Sequence, residues 1–161
     1  MMAASRRTIL FIATAVLVLV VFTGCAKEEP IGPIVNEAGL VYMSPEIPAG
    51  EQAIGILYRR ILDFDGFLAK ADVPVLILVS SHVTPLDPEA TLLLEQLAYE
   101  YSGRAKCIRV EADEYPDIAA FCDAGTLPCF ATVVKGALHN TTGGLSAVSR
   151  DMIVAMLADV T

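Results

Sequence analysis

Residues 80–88 read SSHVTPLDP. The apolar run Val75–Val79 ends just before them, and a leucine-rich helical pattern starts near Glu89. A junction between the carboxyl end of a buried strand and the amino end of a helix is where α/β proteins usually keep their chemistry. Three chemistries are open to the residue types at hand. Ser80, Ser81 and His82 supply a hydroxyl and a base, but a neighbour in sequence rarely points where a base must stand, so they do not make a triad. His82, His139 and Asp87 are metal-ligand types, yet two histidines without ligand spacing make no metal site; solvent-facing loop residues are expected, with no metal. The third chemistry belongs to thiols. Cys107, Cys122 and Cys129 lie in the body of the chain, and none forms a CxxC. Cys107 falls mid-strand, where a thiol behaves as a small buried hydrophobe, and Cys122 falls on a short helix. Three thiols cannot all pair, so at least one stays free within a monomer.

The elements that must position these residues follow from periodicity. Val75–Val79 is unbroken Val, Leu and Ile, the pattern of a strand covered on both faces. Before it, Phe64, Phe67, Leu68 and Ala71 recur at helical spacing until Asp72-Val73-Pro74 stops them. After the junction, Leu93, Leu94, Leu97 and Tyr101 share one helix face, and Gly103 ends that helix. Cys107–Ala112 alternates as a strand, and Pro116–Asp123 is a short helix with proline in its first turn. Phe130–Val134, the turn Lys135-Gly136 and Ala137–Thr141 make a hairpin. Ser149–Asp159 is the last helix, with Ser149 a candidate N-cap. Residues 53–62 (AIGILYRRIL) fit a first strand or the start of a helix equally. The order is (β)αβαβαββα. It predicts an α/β fold: a parallel core closed by an antiparallel pair, as a mixed central sheet with helices on both faces.

The amino terminus is of another kind. Arg6 and Arg7 precede Thr8–Phe22 (TILFIATAVLVLVVF), an uncharged apolar run of 15 residues, shorter than the roughly 20 that span a membrane. Basic start, apolar middle and small residues at the end are the layout of an export signal. The ending FTGC resembles the lipobox of bacterial lipoproteins, in which the signal is cut before a cysteine that then carries lipid. The resemblance implies a signal peptide over 1–24 and lipid on Cys25; the alternative is an uncleaved anchor with Cys25 an ordinary thiol. Both place the domain outside the cytoplasm, on a bacterial cell membrane or outer membrane. Residues 26–50 carry Pro30, Pro33, Pro45 and Pro48 and read as a tether, 25–50, ahead of a domain at 51–161. Ile34, Val35, Leu40 and Val41 are the tether's apolar residues that can pack on that domain. Beyond Cys25, the 11 Lys and Arg less Arg6 and Arg7 stand against 19 Asp and Glu, a formal charge of −10. That charge argues against nucleic acid and anionic lipid head groups as partners.

The ordered set of elements, with its local detail, resembles thioredoxin over about residues 62–159. Asp63-Phe64, Phe67–Ala71, Pro74–Ile77, LEQLAYEYSG at 94–103, DEYP at 113–116, Thr126-Leu127-Pro128, Lys135-Gly136 and Gly144 carry the likeness. In that family the working motif is Trp-Cys-x-x-Cys. Laid on this chain it falls on Val83, Thr84, Pro85, Leu86 and Asp87, so both thiols are replaced. The family's buried carboxylate falls on Leu78. The resemblance therefore implies a thioredoxin-like domain without dithiol redox activity and without a cofactor, since a hydroxyl and a carboxylate replace neither the thiolate nucleophile nor the resolving thiol. Thr84 or Asp87 remains available to cap the helix. Pro128 falls at the family's cis position, which implies a cis Leu127–Pro128 bond and a shallow groove at Val83, Leu127 and Pro128 for an extended peptide of an envelope protein. Cys129, next to Pro128, is the one thiol with a functional case, and a single-thiol oxidoreductase or isomerase acting through it is the alternative.

Overall fold

The structure is a computed structural model and describes residues 39–46 and 55–161. In chain order the elements are β1 (Leu40–Glu46), β2 (Gly55–Arg60), α1 (Phe64–Ala69), β3 (Val75–Ser80), α2 (Asp87–Glu100), β4 (Lys106–Glu111), α3 (Pro116–Phe121), β5 (Cys129–Val134), β6 (Ala137–Gly143), a 3-10 turn (Gly144–Val148) and α4 (Arg150–Ala158). The strands form one mixed sheet in the order β2-β1-β4-β3-β5-β6. Among the described residues no helix is long and apolar enough to cross a membrane.

The central strand explains the unbroken apolar run. Every residue of β3 is buried, and successive side chains alternate between two layers. Leu76 and Leu78 join Met43, Cys107 and Phe130 beneath Leu93, Leu94 and Leu97 of α2 and Ile153 and Leu157 of α4. Val75, Ile77 and Val79 join Ile108, Val110, Cys122, Cys129 and Ala131 on the opposite side, with Phe64, Phe67 and Leu68 of α1 and Ile118 of α3 packed there. Helices thus cover both faces, as the periodicity predicts. Asp63 starts α1 by accepting a 2.9 Å hydrogen bond from the Gly66 amide. Ser149 does stand at the N-cap of α4, without a side-chain bond to the helix.

Two expectations are corrected. Residues 40–46, expected inside the tether, are β1, so the sheet begins before residue 51. Leu40 and Tyr42 enter one core layer, Val41 and Met43 the other. Pairing with β4 runs only from Leu40 to Met43, and Pro45 lies beyond it, facing Ile56 of β2 alone. A proline lacks a ladder donor and is tolerated where one side needs none. Residues 55–60 are a strand, not a helix start. The parallel core is also smaller than expected: only β3 and β4 run parallel, while β1–β2, β1–β4, β3–β5 and β5–β6 are antiparallel. The signal-like segment, Cys25 and most of the expected tether lie outside the described residues.

Candidate functional site

The SSHVTPLDP junction runs from the last residue of β3 across a turn into α2. The Thr84 amide bonds to the Ser81 carbonyl at 2.9 Å, and the Asp87 amide to the Thr84 carbonyl at 3.0 Å. Beneath it lies the carboxyl end of β4. Cys107, Arg109 and Glu111 alternate with Ile108 and Val110, so strand geometry sends all three toward the face that α2 covers. Cys107 finishes the apolar layer. Arg109 and Glu111 close its end with charge.

Arg109 holds three pieces of chain. Its Nε donates to Ser80 Oγ at 3.0 Å, its Nη2 donates to Asp87 Oδ2 at 3.1 Å, and the same Nη2 lies 3.6 Å from Glu111 Oε2. Glu111 Oε1 accepts from the His82 amide at 3.2 Å, and His82 Nδ1 stands 3.6 Å from Oε2. The Ser81 hydroxyl donates to Asp113 Oδ2 at 3.1 Å. Every residue from Ser80 to His82 is therefore tied to β4 or the turn after it. Glu111 is 1% exposed. Burial pushes its carboxyl above the ordinary value of 4.5, Asp87 adds to the rise, and His82 and Arg109 oppose it. Glu111 Oε2 and Asp87 Oδ1 are buried without a hydrogen-bond partner.

The second part of the site comes from the other side of the sheet. The Leu127–Pro128 bond is cis, as the resemblance implies. The Gly144 amide donates to the Pro128 carbonyl at 2.9 Å. Gly143 has no room for a side chain: a Cβ there would meet the Thr126 carbonyl oxygen at 2.4 Å. The segments 126–128 and 143–144 are thus in direct backbone contact. Cys129 follows, 2% exposed, with its thiol 3.1 Å from Thr141 Oγ1. Burial raises its pKa, Asp123 adds to the rise, and hydrogen bonds at Thr141 and Thr142 pull it back. Burial pushes the Cys107 and Cys122 thiols to about 12. All three thiols are free.

Several residues stand elsewhere than expected. Neither Thr84 nor Asp87 caps α2: the N-cap is Leu86, with no side-chain bond, and Asp87 is the first helical residue with its carboxylate turned to Arg109. Val83 is 86% exposed, Leu127 half-buried and Pro128 buried. Leu78 is wholly buried in the apolar layer under α2. His139 is exposed on β6, and among the described residues no group of three His, Cys, Asp or Glu is placed to hold a metal. Arg109, Glu111 and Asp113 were not anticipated. Their signal is in the alternation itself, since two charges in CIRVEA share a face with Cys107 and must point inward with it.

No protein-family model matches the chain, and no curated protein matches it in sequence. Solved structures do match. Oxidised mitochondrial thioredoxin 3 from Saccharomyces cerevisiae superposes with a TM-score of 0.53 at 20% identity, over 60% of this chain and 87% of that one. The germline-specific thioredoxin Deadhead from Drosophila melanogaster gives 0.50 at 14% identity, over 56% and 83%. A chain from the structural study of the thiol resolving mechanism in yeast mitochondrial 1-Cys peroxiredoxin, via glutathione/thioredoxin systems, gives 0.54 at 18% identity, over 63% and 91%. The chain has a thioredoxin-like fold. At these identities the likeness is one of fold, and the side chains of the junction are this chain's own.

Two measurements test the cluster. Removing Asp87 leaves the Arg109 guanidinium, 18% exposed, without its closest anionic partner. Breaking such a pair costs about 3–5 kcal/mol, and residual exposure places Asp87→Ala near the lower end. Adding Arg109→Met should restore much of the loss in urea unfolding; a single mutant that loses nothing would show that the pair does not hold the junction. The second concerns Glu111. Because its folded pKa lies above the unfolded one, the folded state holds the proton more tightly. Stability then falls as pH rises from 4.5 through the folded value, and the deficit is complete above it. The stability of Glu111→Gln relative to the natural chain should therefore grow with pH across that window. A difference that shrinks would mean that Arg109 and His82 outweigh burial.

Proposed function

We propose that this domain binds an extended segment of another envelope protein and does not catalyse dithiol–disulfide exchange. The observation that carries the second half is the position of Asp87. Where the thioredoxin pattern calls for the resolving thiol, this chain has a carboxylate committed to a buried ion pair with Arg109. Thr84, at the nucleophile's position, contributes a hydroxyl in a half-buried turn. The loop holds no thiol, so it supplies neither the attacking nor the resolving group. Binding is supported by the geometry around Pro128. Within the described residues the backbones of Thr126 and Leu127 take part in no ladder or turn hydrogen bond, which leaves polar groups for a docked strand. The Pro128 carbonyl already accepts from Gly144 and the Thr126 carbonyl is pressed against Gly143, so pairing falls to Leu127 and the Thr126 amide. Exposed Val83 and Leu145, the latter 78% exposed, offer apolar surface on the flanking loops.

A second reading keeps Cys129 as a lone nucleophile, and its place beside a surface cleft favours it. Burial works against it, because a raised pKa leaves little thiolate. The assay that separates the readings supplies a disulfide substrate and excess dithiol. The domain should give no turnover above the uncatalysed rate. Turnover that Cys129→Ser abolishes would establish the thiol enzyme instead. A positive control needs care: Thr84→Cys with Asp87→Cys strands Arg109, so Arg109→Met belongs in the same protein.

The envelope location rests on the signal-like segment and the FTGC that resembles a lipobox. Changing Cys25 to Ser should leave an unprocessed precursor and abolish labelling by a fatty-acid analogue. Normal processing and labelling in that variant would remove the lipid anchor from this account.

A further inference from the structure

Close to Pro128 the surface holds a cleft of about 220 Å³ lined by Asp123, Thr126, Thr141, Thr142, Gly143 and the buried Cys129. We propose that this cleft is a subsite for a cationic side chain, lysine or arginine, of the segment bound along Thr126 and Leu127; the assignment rests on the peptide-binding reading above.

Size narrows the occupant first. Sites for drug-sized ligands and cofactors begin near 300 Å³; at about 220 Å³ the cleft is of a size to take one side chain. Chemistry narrows it further. Asp123 is the only charged residue in the lining, and no basic residue faces it. The rest of the lining is threonine hydroxyls and glycine backbone, which donate and accept hydrogen bonds, with apolar surface of similar extent among them. An anion would meet the Asp123 charge, and a purely aliphatic side chain would leave that charge unpaired and desolvate three threonine hydroxyls. A divalent ion needs six or more oxygen ligands, commonly several carboxylates, and one is present. An ammonium or guanidinium finds both a counter-charge and acceptors. The influence of Asp123 extends to Cys129, since its charge contributes to the raised pKa of that thiol. Asp123 holds φ at +51° as the residue that ends α3 after its C-cap Cys122, an ordinary place for a left-handed residue. Thr126 belongs to both places: it lines the cleft, and it begins the Thr126-Leu127-Pro128 step. A chain paired with that step carries a side chain within reach of the cleft.

Cys129 makes the cleft readable. Cys107 and Cys122 are 1% and 0% exposed, and Cys129 alone of the three lines the opening. The probes are aminoethyl and sulfonatoethyl methanethiosulfonate, one cationic and one anionic. In each case the thiolate forms a mixed disulfide, methanesulfinate leaves, and the thiol proton passes to solvent. Labelling at Cys129 is followed by mass. The cation-to-anion rate ratio should be about fivefold larger in the natural chain than in Asp123→Asn, given one partly screened charge at short range; asparagine tolerates the same left-handed backbone. Equal ratios overturn the proposal; where burial of Cys129 keeps both probes out of the folded protein, the peptide arm decides it. A second arm uses decapeptide pools with Lys, norleucine or Glu fixed at the centre and degenerate flanks, read by fluorescence anisotropy. Tighter binding of the Lys pool, lost in Asp123→Asn, supports the subsite. Equal binding of all three overturns the subsite and leaves the peptide-binding function standing. Binding of none overturns both.

Discussion

Arg109 reaches from the middle of β4 to the end of β3 and the start of α2, and the junction above it owes its shape to that reach. A guanidinium is planar and always charged, and its donors are fixed in a fork. Here the fork meets Ser80 and Asp87, with Glu111 beside them. A half-buried arginine without partners is costly, so Ser80, Asp87 and Glu111 are constrained together. In the thioredoxin pattern the same place serves a redox couple. In this chain it serves as a clasp. The turn from Ser81 to Leu86 keeps a strand-to-helix geometry because charge and hydrogen bonds hold it, and a thiol at 87 would remove the clasp's nearest carboxylate.

Much of the fold was legible because its signals are local and redundant. VLILV reads as a doubly covered strand from five residues, and the leucines of α2 repeat often enough to define a face. β1 was obscured because its alternating stretch is short and sits between prolines; what makes it a strand is pairing with the neighbouring β2 and with β4, which lies far away in sequence. Strand direction was hidden for the same reason. A period of two shows that a segment is extended and leaves unsaid which neighbour it meets. The candidate site divides similarly. The cis bond and the loss of both motif thiols follow from aligned residue types. The role of Asp87 does not, because a carboxylate at a helix start is an ordinary capping residue until a half-buried arginine appears on the next strand of the sequence.

The two halves of the site answer to different physics. The Arg109 side is dense and charged, tied by hydrogen bonds from Arg109 to Ser80 and Asp87 and from His82 to Glu111, with one oxygen of each carboxylate left without a partner. The Pro128 side is held by backbone: Gly144 bonds to Pro128, and Gly143 lies against Thr126 with no space between them. This difference favours one half as scaffold and the other as surface for a partner. It also makes the preceding glycine, at 143, the residue that sets the separation of the two loops, since any Cβ must push the Thr126 carbonyl away.

The sheet also sorts the thiols. Cys107 lies on β4 and Cys129 on β5, with β3 between them, and they face opposite layers. Two strand spacings are about 9.5 Å, beyond the roughly 7 Å that a disulfide can bridge between Cα atoms. In the finished fold that pair cannot form. In an unfolded chain meeting an oxidant nothing prevents it, and a 107–129 crosslink made early would have to be broken before β3 could take its place. Wherever an oxidant is present, the order of events matters as much as the end state: the central strand must be seated before the cysteines are found.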